Sequence, residues 1–386
     1  MPHVLEQFCR DHESWLHQTI DALVSIESPT DDKAAVDRCA TELRARAAAI
    51  GMRVRIEARP DAGDHTVADI GQGRPRILLV GHCDTVWPHG QIRRMPLERR
   101  DGKLWGPGTL DMKVGVSMGL LATRAVFETL GPATGTVALL CTSDEETGSD
   151  TSRALIEAEA LASDAVLVLE PALAGGALKT SRKGIGQYHL AVTGVSAHAG
   201  VDPAKGVSAI RELARQILAL EALHDLERGV SVNVGVVTGG TRPNVVAEEA
   251  HAVVDVRAPS LDDAARVDAA IRALRPILPG AHLAVTGGFE RPPMERSAGV
   301  AALFAHAQAA AAVLGQTVEE GGTGGGSDGN FTAALGVPTL DGLGGVGDGA
   351  HALHEHVELD RLVPRTALLA ALIARLLSPD GVLPRR

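Results

Sequence analysis

Aromatic side chains are scarce in this sequence: Phe, Trp and Tyr make up 2% of 386 residues, although hydrophobic residues as a whole reach 45%. Its cores must therefore be built from Ala, Val, Leu and Ile rather than from rings. Long apolar runs are missing too. No stretch reaches the roughly 18 apolar residues that a membrane-spanning helix requires, which argues against a membrane partner. The first residues, MPHVLEQFCRDHESWL, mix acids and bases with apolar residues at helical spacing and lack the uninterrupted apolar segment of a signal peptide, so a cytoplasmic location is expected. No Lys/Arg cluster of the kind that builds an extended basic face appears, and the formal charge is −11. A phosphate backbone needs a basic face, so nucleic acid is excluded as a partner. The four cysteines, Cys9, Cys39, Cys83 and Cys141, include no CxxC pair, which fits reduced, buried thiols better than a disulfide framework.

What is present is a repeated alternation of apolar runs and helical patterns. A chain of this length is expected to form two domains. Residues 12–50 read as helix, interrupted at Ser28-Pro29-Thr30 and ended by Gly51. Met52 to Ile56 alternates like a half-buried strand, and Arg76 to Val80 is a continuous apolar run of the kind covered on both faces. Lys113 to Leu130 reads as a helix, and Thr136–Cys141 and Ala165–Leu169 as two more buried strands. Each of the three apolar strands is followed at once by acidic or imidazole side chains. An open α/β sheet places its ligand crevice there, beyond the carboxyl ends of its strands.

From about Lys183 the texture changes to alternating strands (Ile185–Val192, Val230–Val237, Ala250–Val256) with a helix at Ala204–Leu220, the pattern of helices lying on one face of an antiparallel sheet. The expected organisation is thus a mostly parallel α/β catalytic domain, 1–182 with 295–386, carrying an inserted α+β, ferredoxin-like domain at 183–294. After Arg291-Pro292-Pro293 come an Ala-rich helix, a Gly-rich loop, a strand at Val337–Leu340 and a last helix.

Five residues at strand ends or in Gly-rich turns offer nitrogen and carboxylate oxygen, the donors that Zn²⁺ takes: His82, Asp111, Glu146, Glu170 and His351. Any one of them alone is more often a solvated loop residue; their joint placement gives them weight. Asp84 lies two residues after His82, on the same side of an extended segment, where it would hold the imidazole in the tautomer that a metal needs. Glu145 adjoins Glu146 and points elsewhere, so one carboxylate can bind metal while the other handles a proton. The same alternation turns Cys83 away from that side.

GHCDTVW, GPGTLDMKVG, TSDEETGS, VLEP, GVSAHAG, TGGTRPNVV, DVRAP, ERPPM, GGGSDGN and HALHEHV follow one another in the order seen in zinc-dependent exopeptidases and deacylases. That family includes glutamate carboxypeptidase, acetylornithine deacetylase, succinyl-diaminopimelate desuccinylase and the aminoacylases, and the resemblance spans nearly the whole chain, glutamate carboxypeptidase most of all. It implies two Zn²⁺ per subunit, with Co²⁺ or Mn²⁺ as substitutes: one ion on His82, Asp111 and Glu170, the other on Asp111, Glu146 and His351, Asp111 bridging them. It makes Glu145 the general base. His351 is preferred over His354 and His356 because it stands ahead of the Glu-x-Val step formed by Glu355 and Val357.

The resemblance also assigns substrate contacts. His198 matches a histidine that family dimers donate across their interface, which implies a homodimer. Asn244 and Arg257 match groups that hold a substrate carboxylate, and Arg291 matches an arginine gripping the terminal carboxylate, a task suited to a planar guanidinium. Residues Gly321–Gly329 lack the Lys-Ser/Thr ending of a phosphate loop. They are expected to wall a pocket, with Ser327-Asp328 near the substrate's side chain. The substrate would be a small peptide or N-acyl amino acid. Two enzymatic readings follow, a glutamate carboxypeptidase-like exopeptidase and an N-acyl-amino-acid deacylase. A catalytically inactive binding protein is a third, which the intact Glu145 and ligand set disfavour.

Overall fold

The apolar run at Ile77–Val80 is the second half of a longer strand, His65–His82, in a chain whose computed structural model describes residues 2–131 and 134–384. Ile77, Leu78, Leu79 and Val80 are all buried, as in a strand covered on both faces. This strand pairs in parallel with Thr134–Thr142 and with Ala165–Val168, which in turn pairs in parallel with Thr339–Leu340. Arg53–Glu57 joins antiparallel to the strand's first residues, giving a mixed α/β, mostly parallel sheet. The register decides where the chemistry sits. His82 lies opposite Thr142, and Val80 lies opposite both Leu140 and Val168. The three strands therefore end nearly level, and the residues that follow them emerge along one edge.

Helices cover this sheet. The segment 12–50 forms Glu13–Val24 and Lys33–Ala49, the second begun by Asp32, whose Oδ1 accepts a hydrogen bond from Ala35 N. Val114–Leu130 is buried along most of its length, and its approach to the sheet is set by Gly115. A Cβ there would lie 1.9 Å from the carbonyl oxygen of Leu169, so no other residue lets the helix rest against the strand end that presents Glu170. Ala298–Ala312 and Leu362–Leu376 supply small and aliphatic side chains such as Ala307, Ala310, Leu369 and Leu372 to the same core. Close packing of Ala and Leu takes the place of the missing rings.

One element has no counterpart in the sequence reading. Glu98–Arg100, Lys103–Trp105, His356–Glu358 and Gly347–Asp348 form a small antiparallel sheet. Strands of two or three residues carry no readable periodicity. This sheet brings the 351–358 segment beside residues 103–111.

These elements belong to one compact unit, comprising the chain up to Thr180, Arg296–Gly322 and the chain from Ser327 onward. The second unit is Ser181–Glu295 with Thr323–Gly326. The short segment joins it because Lys183 N donates to Thr323 O, and Arg182 Nη1 donates to the carbonyls of Gly325 and Gly326. The second unit is a four-stranded antiparallel sheet in the order His282–Arg291, Gly184–Thr193, Glu249–Ala258, Ser231–Gly239. Its helices, Ala209–Glu221 and Leu261–Arg272, bury Leu213, Leu220, Val267 and Ile271 against one face, over Tyr188, Leu190, Val254 and Val256. The first helix starts at Ala209 rather than Ala204, because Ser208 is its N-cap, accepting from Arg211 N, and Pro203–Lys205 forms a separate turn. Among the described residues no helix is long and apolar enough to cross a membrane.

Candidate metal centre and active site

His82 ends its strand almost fully buried, at 1% exposure, and its ring is fixed from both sides. Nδ1 lies 3.1 Å from the carbonyl oxygen of Asp84 and 3.3 Å from Asp84 Oδ1, while Nε2 faces Asp111 Oδ1 at 3.1 Å and Glu170 Oε1 at 3.7 Å. His351 approaches Asp111 from the other side. Its Nε2 is 3.2 Å from Asp111 Oδ2 and 3.1 Å from Glu146 Oε2. Asp111 thus offers each of its two oxygens to a different imidazole, and the five residues divide into two sets that share it. One donor atom each of His82, Asp111 and Glu146 lie within 4.8 Å of one another.

The electrostatics of these groups point the same way. Burial alone would lower the pKa of His82, yet the carboxylates of Asp111, Asp84 and Glu170 raise it well above the ordinary imidazole range. Asp111 and then Glu146 raise His351 to about 10. Burial works against ionisation of Asp111, but the two imidazoles hold its carboxyl far below the usual range. Glu146 is raised, chiefly by burial. Its Oε1 is buried without a hydrogen-bond partner, an arrangement that costs free energy unless a cation completes it. Two imidazole nitrogens set among carboxylates make a donor set that fits borderline divalent ions such as Zn²⁺.

His351 holds a left-handed backbone conformation, φ 61°, that is uncommon for a side chain with a Cβ and collects at functional sites. His354 and His356 do not join it. His354 is exposed, 3.9 Å from Asp348, and His356 tilts over the Trp105 ring at 4.5 Å.

The turn after Thr134–Thr142 presents Glu145 and Glu146 in a short 3₁₀ segment, Glu145–Thr147, that leaves Glu145 partly exposed. Buried polar groups pin this turn. Asp84 Oδ2 accepts from Glu146 N at 3.2 Å and from Thr30 Oγ1 at 2.8 Å, so Asp84 orients His82 and the Glu146 backbone together. Asp144 Oδ2 accepts from Thr151 N, Thr151 Oγ1 and Ser152 N. Asp328 accepts from Ser149 Oγ at 2.5 Å and Thr142 Oγ1 at 3.0 Å, and Ser327 Oγ donates to Asp341 Oδ2. Both residues are buried. Asp328 therefore braces the turn that presents Glu145 and Glu146 from within, and Ser327 is held beside it by Asp341.

Four contributors escaped the sequence reading. Thr30 sat in what read only as a helix break, and Trp87 was only part of a motif. Asp328 was assigned to the substrate, and Glu355 served only as a spacing mark. Glu355 is 1% exposed and accepts from Gly108 N, Leu110 N, Asp111 N and Trp87 Nε1. Burial pushes its carboxyl up to about 7 against those donors. Cys83 is buried, its thiol 3.5 Å from Thr142 O, in contact with Cys39 and Cys141.

The expected substrate residues lie in the second unit. His198 is exposed, and its Nδ1 accepts from Gly200 N and Val201 N at 3.2 Å each, which puts the proton of the neutral ring on Nε2. Asn244 is exposed in a turn, its carbonyl accepting from Ala199 N. Arg257 is half-buried, with its fork bidentate on Asp255 at 2.9 and 2.8 Å. Arg291 ends the strand His282–Arg291 and is 5% exposed.

The sequence from residue 78 to residue 375 matches the model of peptidase family M20/M25/M40. The chain belongs to this family. Among relatives, it is 32% identical over 385 residues to carboxypeptidase G2 of Pseudomonas sp. (strain RS-16), covering 96% of this chain and 91% of that one. It is 30% identical to succinyl-diaminopimelate desuccinylase of Stenotrophomonas maltophilia, covering 92% and 97%. The fold is shared with aminopeptidase PepT of Bacillus cereus, at a TM-score of 0.79 and 24% identity, over 94% of this chain and 98% of that one. The chain is accordingly a metal-dependent hydrolase of that family, with His82, Asp111 and Glu146 at its candidate metal site.

Proposed function

We propose that this chain is a two-zinc amide hydrolase that removes a residue bearing a free carboxylate, a glutamate carboxypeptidase-like exopeptidase. The observation that carries the reading is Asp111, with one oxygen toward His82 and the other toward His351. His82, Asp111 and Glu170 would hold one ion, and Asp111, Glu146 and His351 the other. When bound, the pair would polarise the scissile carbonyl and acidify the attacking water. Glu145, on the same turn as Glu146 but only partly buried, takes the proton from that water and passes it to the leaving amine. Asp84 keeps His82 in the tautomer that leaves Nε2 available, through its contacts to Nδ1.

On the substrate side, the exposed Nε2–H of His198 is a donor suited to a developing oxyanion. Arg291 is the grip for the substrate carboxylate, with Asn244 beside it in role. Arg257 keeps Nε and Nη2 on Asp255, so it would reach the substrate through Nη1 or by exchanging Asp255. His198 acts across a homodimer. Supporting this, the strand Ser231–Gly239 is an uncovered sheet edge whose Val236 and Val237 are 53% and 55% exposed, a surface that invites a second copy. A cytoplasmic location goes with this reading.

The second reading, an N-acyl-amino-acid deacylase, is favoured by the desuccinylase relative and uses the same metal groups. A panel of N-acyl amino acids and dipeptides, assayed with zinc, separates the two: preferred release of a C-terminal glutamate supports the carboxypeptidase, and preferred cleavage of short acyl groups supports the deacylase. No hydrolysis of any amide would contradict both.

A further inference from the structure

The turn 108–111 is built around a side chain that belongs to a distant part of the sequence. Glu355 Oε1 accepts from Leu110 N at 2.9 Å and Asp111 N at 3.1 Å, and Oε2 accepts from Gly108 N at 3.0 Å and Trp87 Nε1 at 2.8 Å. Four donors converge on one buried carboxylate. The backbone they come from is irregular: Gly108 is left-handed at φ 71°, and Asp111 and Met112 leave helical geometry at φ −113° and −136°. Such a turn has no regular hydrogen-bond ladder of its own, so its inward N–H groups depend on the carboxylate they meet.

Glu355 is also tied to the other half of the site. It follows His351 by four residues, its N donates to Ala352 O, and its carbonyl accepts from Gly106 N at 3.4 Å. One residue thereby registers the backbone that carries Asp111 against the segment that carries His351, and reaches the His82 segment through Trp87.

We propose that Glu355 is a positioning residue for the metal centre: its carboxylate, acting only as an acceptor, sets the turn 108–111 so that Asp111 presents one oxygen to each imidazole. This rests on the reading of Asp111 as the shared ligand. An acceptor with two full oxygens is required, because all four partners are donors. Glutamine at this position keeps the size but turns an NH₂ toward N–H groups, so Glu355→Gln is the informative substitution.

The test uses full-length protein stripped with EDTA, titrated with Zn²⁺ against a chromophoric chelator and, separately, with Co²⁺ while its visible spectrum is recorded. Glu212→Gln is the control for a merely structural loss. Glu212 is also buried and also accepts two backbone N–H groups, from Ile277 and Leu278, but within the second unit. The expected result is about tenfold to hundredfold weaker Zn²⁺ binding and an altered cobalt spectrum in Glu355→Gln, the range seen for groups that orient metal ligands, with neither change in Glu212→Gln. Wild-type affinity and spectrum in Glu355→Gln would overturn the proposal. Should that variant fail to fold, Trp87→Phe removes one of the four donors and is read in the same way, an unchanged spectrum and affinity again counting against it. If Asp111→Asn itself leaves metal binding untouched, the failure lies with the reading of Asp111 and not with Glu355.

Discussion

Asp111→Asn is the substitution whose consequences the geometry defines most closely. It is isosteric and keeps one acceptor oxygen, but removes the negative charge between two imidazoles. Unit charges 3.1 Å apart interact by about 5 kcal/mol at an effective dielectric constant of 20. That gross figure is offset by desolvation. The measured cost of removing one partner from a buried pair, about 3–5 kcal/mol, is the better guide. His82, at 1% exposure, supplies most of it, because His351 is half exposed and its contact is screened. Because His82 keeps Asp84 and Glu170 beside it and Asp111 also repels Glu146, EDTA-treated Asp111→Asn at pH 7 should be less stable than EDTA-treated wild type by about 1–3 kcal/mol, below that range. Guanidinium unfolding followed by tryptophan fluorescence reads this cleanly, since Trp15, Trp87 and Trp105 all lie in the unit that holds the site. With zinc added, the variant should bind at most one ion tightly and lose hydrolysis. Equal stability without metal, or two tightly held ions in the variant, would refute the reasoning.

The metal-free protein should be sensitive to alkali. His351 is raised from 6.5 to about 10 in the folded state, so its stabilising contribution is complete below pH 6.5 and is lost as pH rises toward 10. The melting temperature of EDTA-treated protein should fall between pH 6.5 and 10, and a flat or rising profile would count against the His351–Asp111–Glu146 contacts. Because zinc must displace protons from His82 and His351, calorimetry at pH 7 in buffers of different ionisation enthalpy should detect proton release on binding, and affinity should increase with pH. Gly115→Ala should cost at least the 1–3 kcal/mol typical of overpacking, since its Cβ meets a backbone oxygen that cannot swing aside; a melting temperature equal to wild type would contradict the close approach to Leu169.

The parts that were legible in the sequence share a physical cause. Ile77–Val80, Val137–Leu140 and Ala165–Val168 are continuous apolar runs because they are buried on both faces, and the polar residues straight after each run mark the strand ends. His82, Glu146 and Glu170 were accessible that way, and Asp111 and His351 through their Gly-rich turns, while the division of the five between two ions came only from ordered motifs resembling a family. What stayed hidden depends on contacts across long separations. Glu355 meets residues 108–111 nearly 250 positions earlier, and Asp328 meets Thr142 from 186 away. No local period records such pairings. The strand His282–Arg291 is not among the expected strands: its Gly287-Gly288 pair weakens the local strand signal, and pairing to Gly184–Thr193 overrides that weak propensity. Thr323–Gly326 joined the second unit through hydrogen bonds from Arg182 and Lys183, which a Gly-rich stretch does not announce.

We propose that the groups sharing Asp111 hold two ions while the neighbouring Glu145 moves the proton. This is tested most directly by counting bound zinc and measuring hydrolysis of an N-acyl glutamate on the same sample of Glu145→Ala. Two zinc equivalents per chain are expected, as in wild type, with turnover abolished. Retained turnover would remove Glu145 from its role, and the loss of either ion would show that it holds metal rather than the proton.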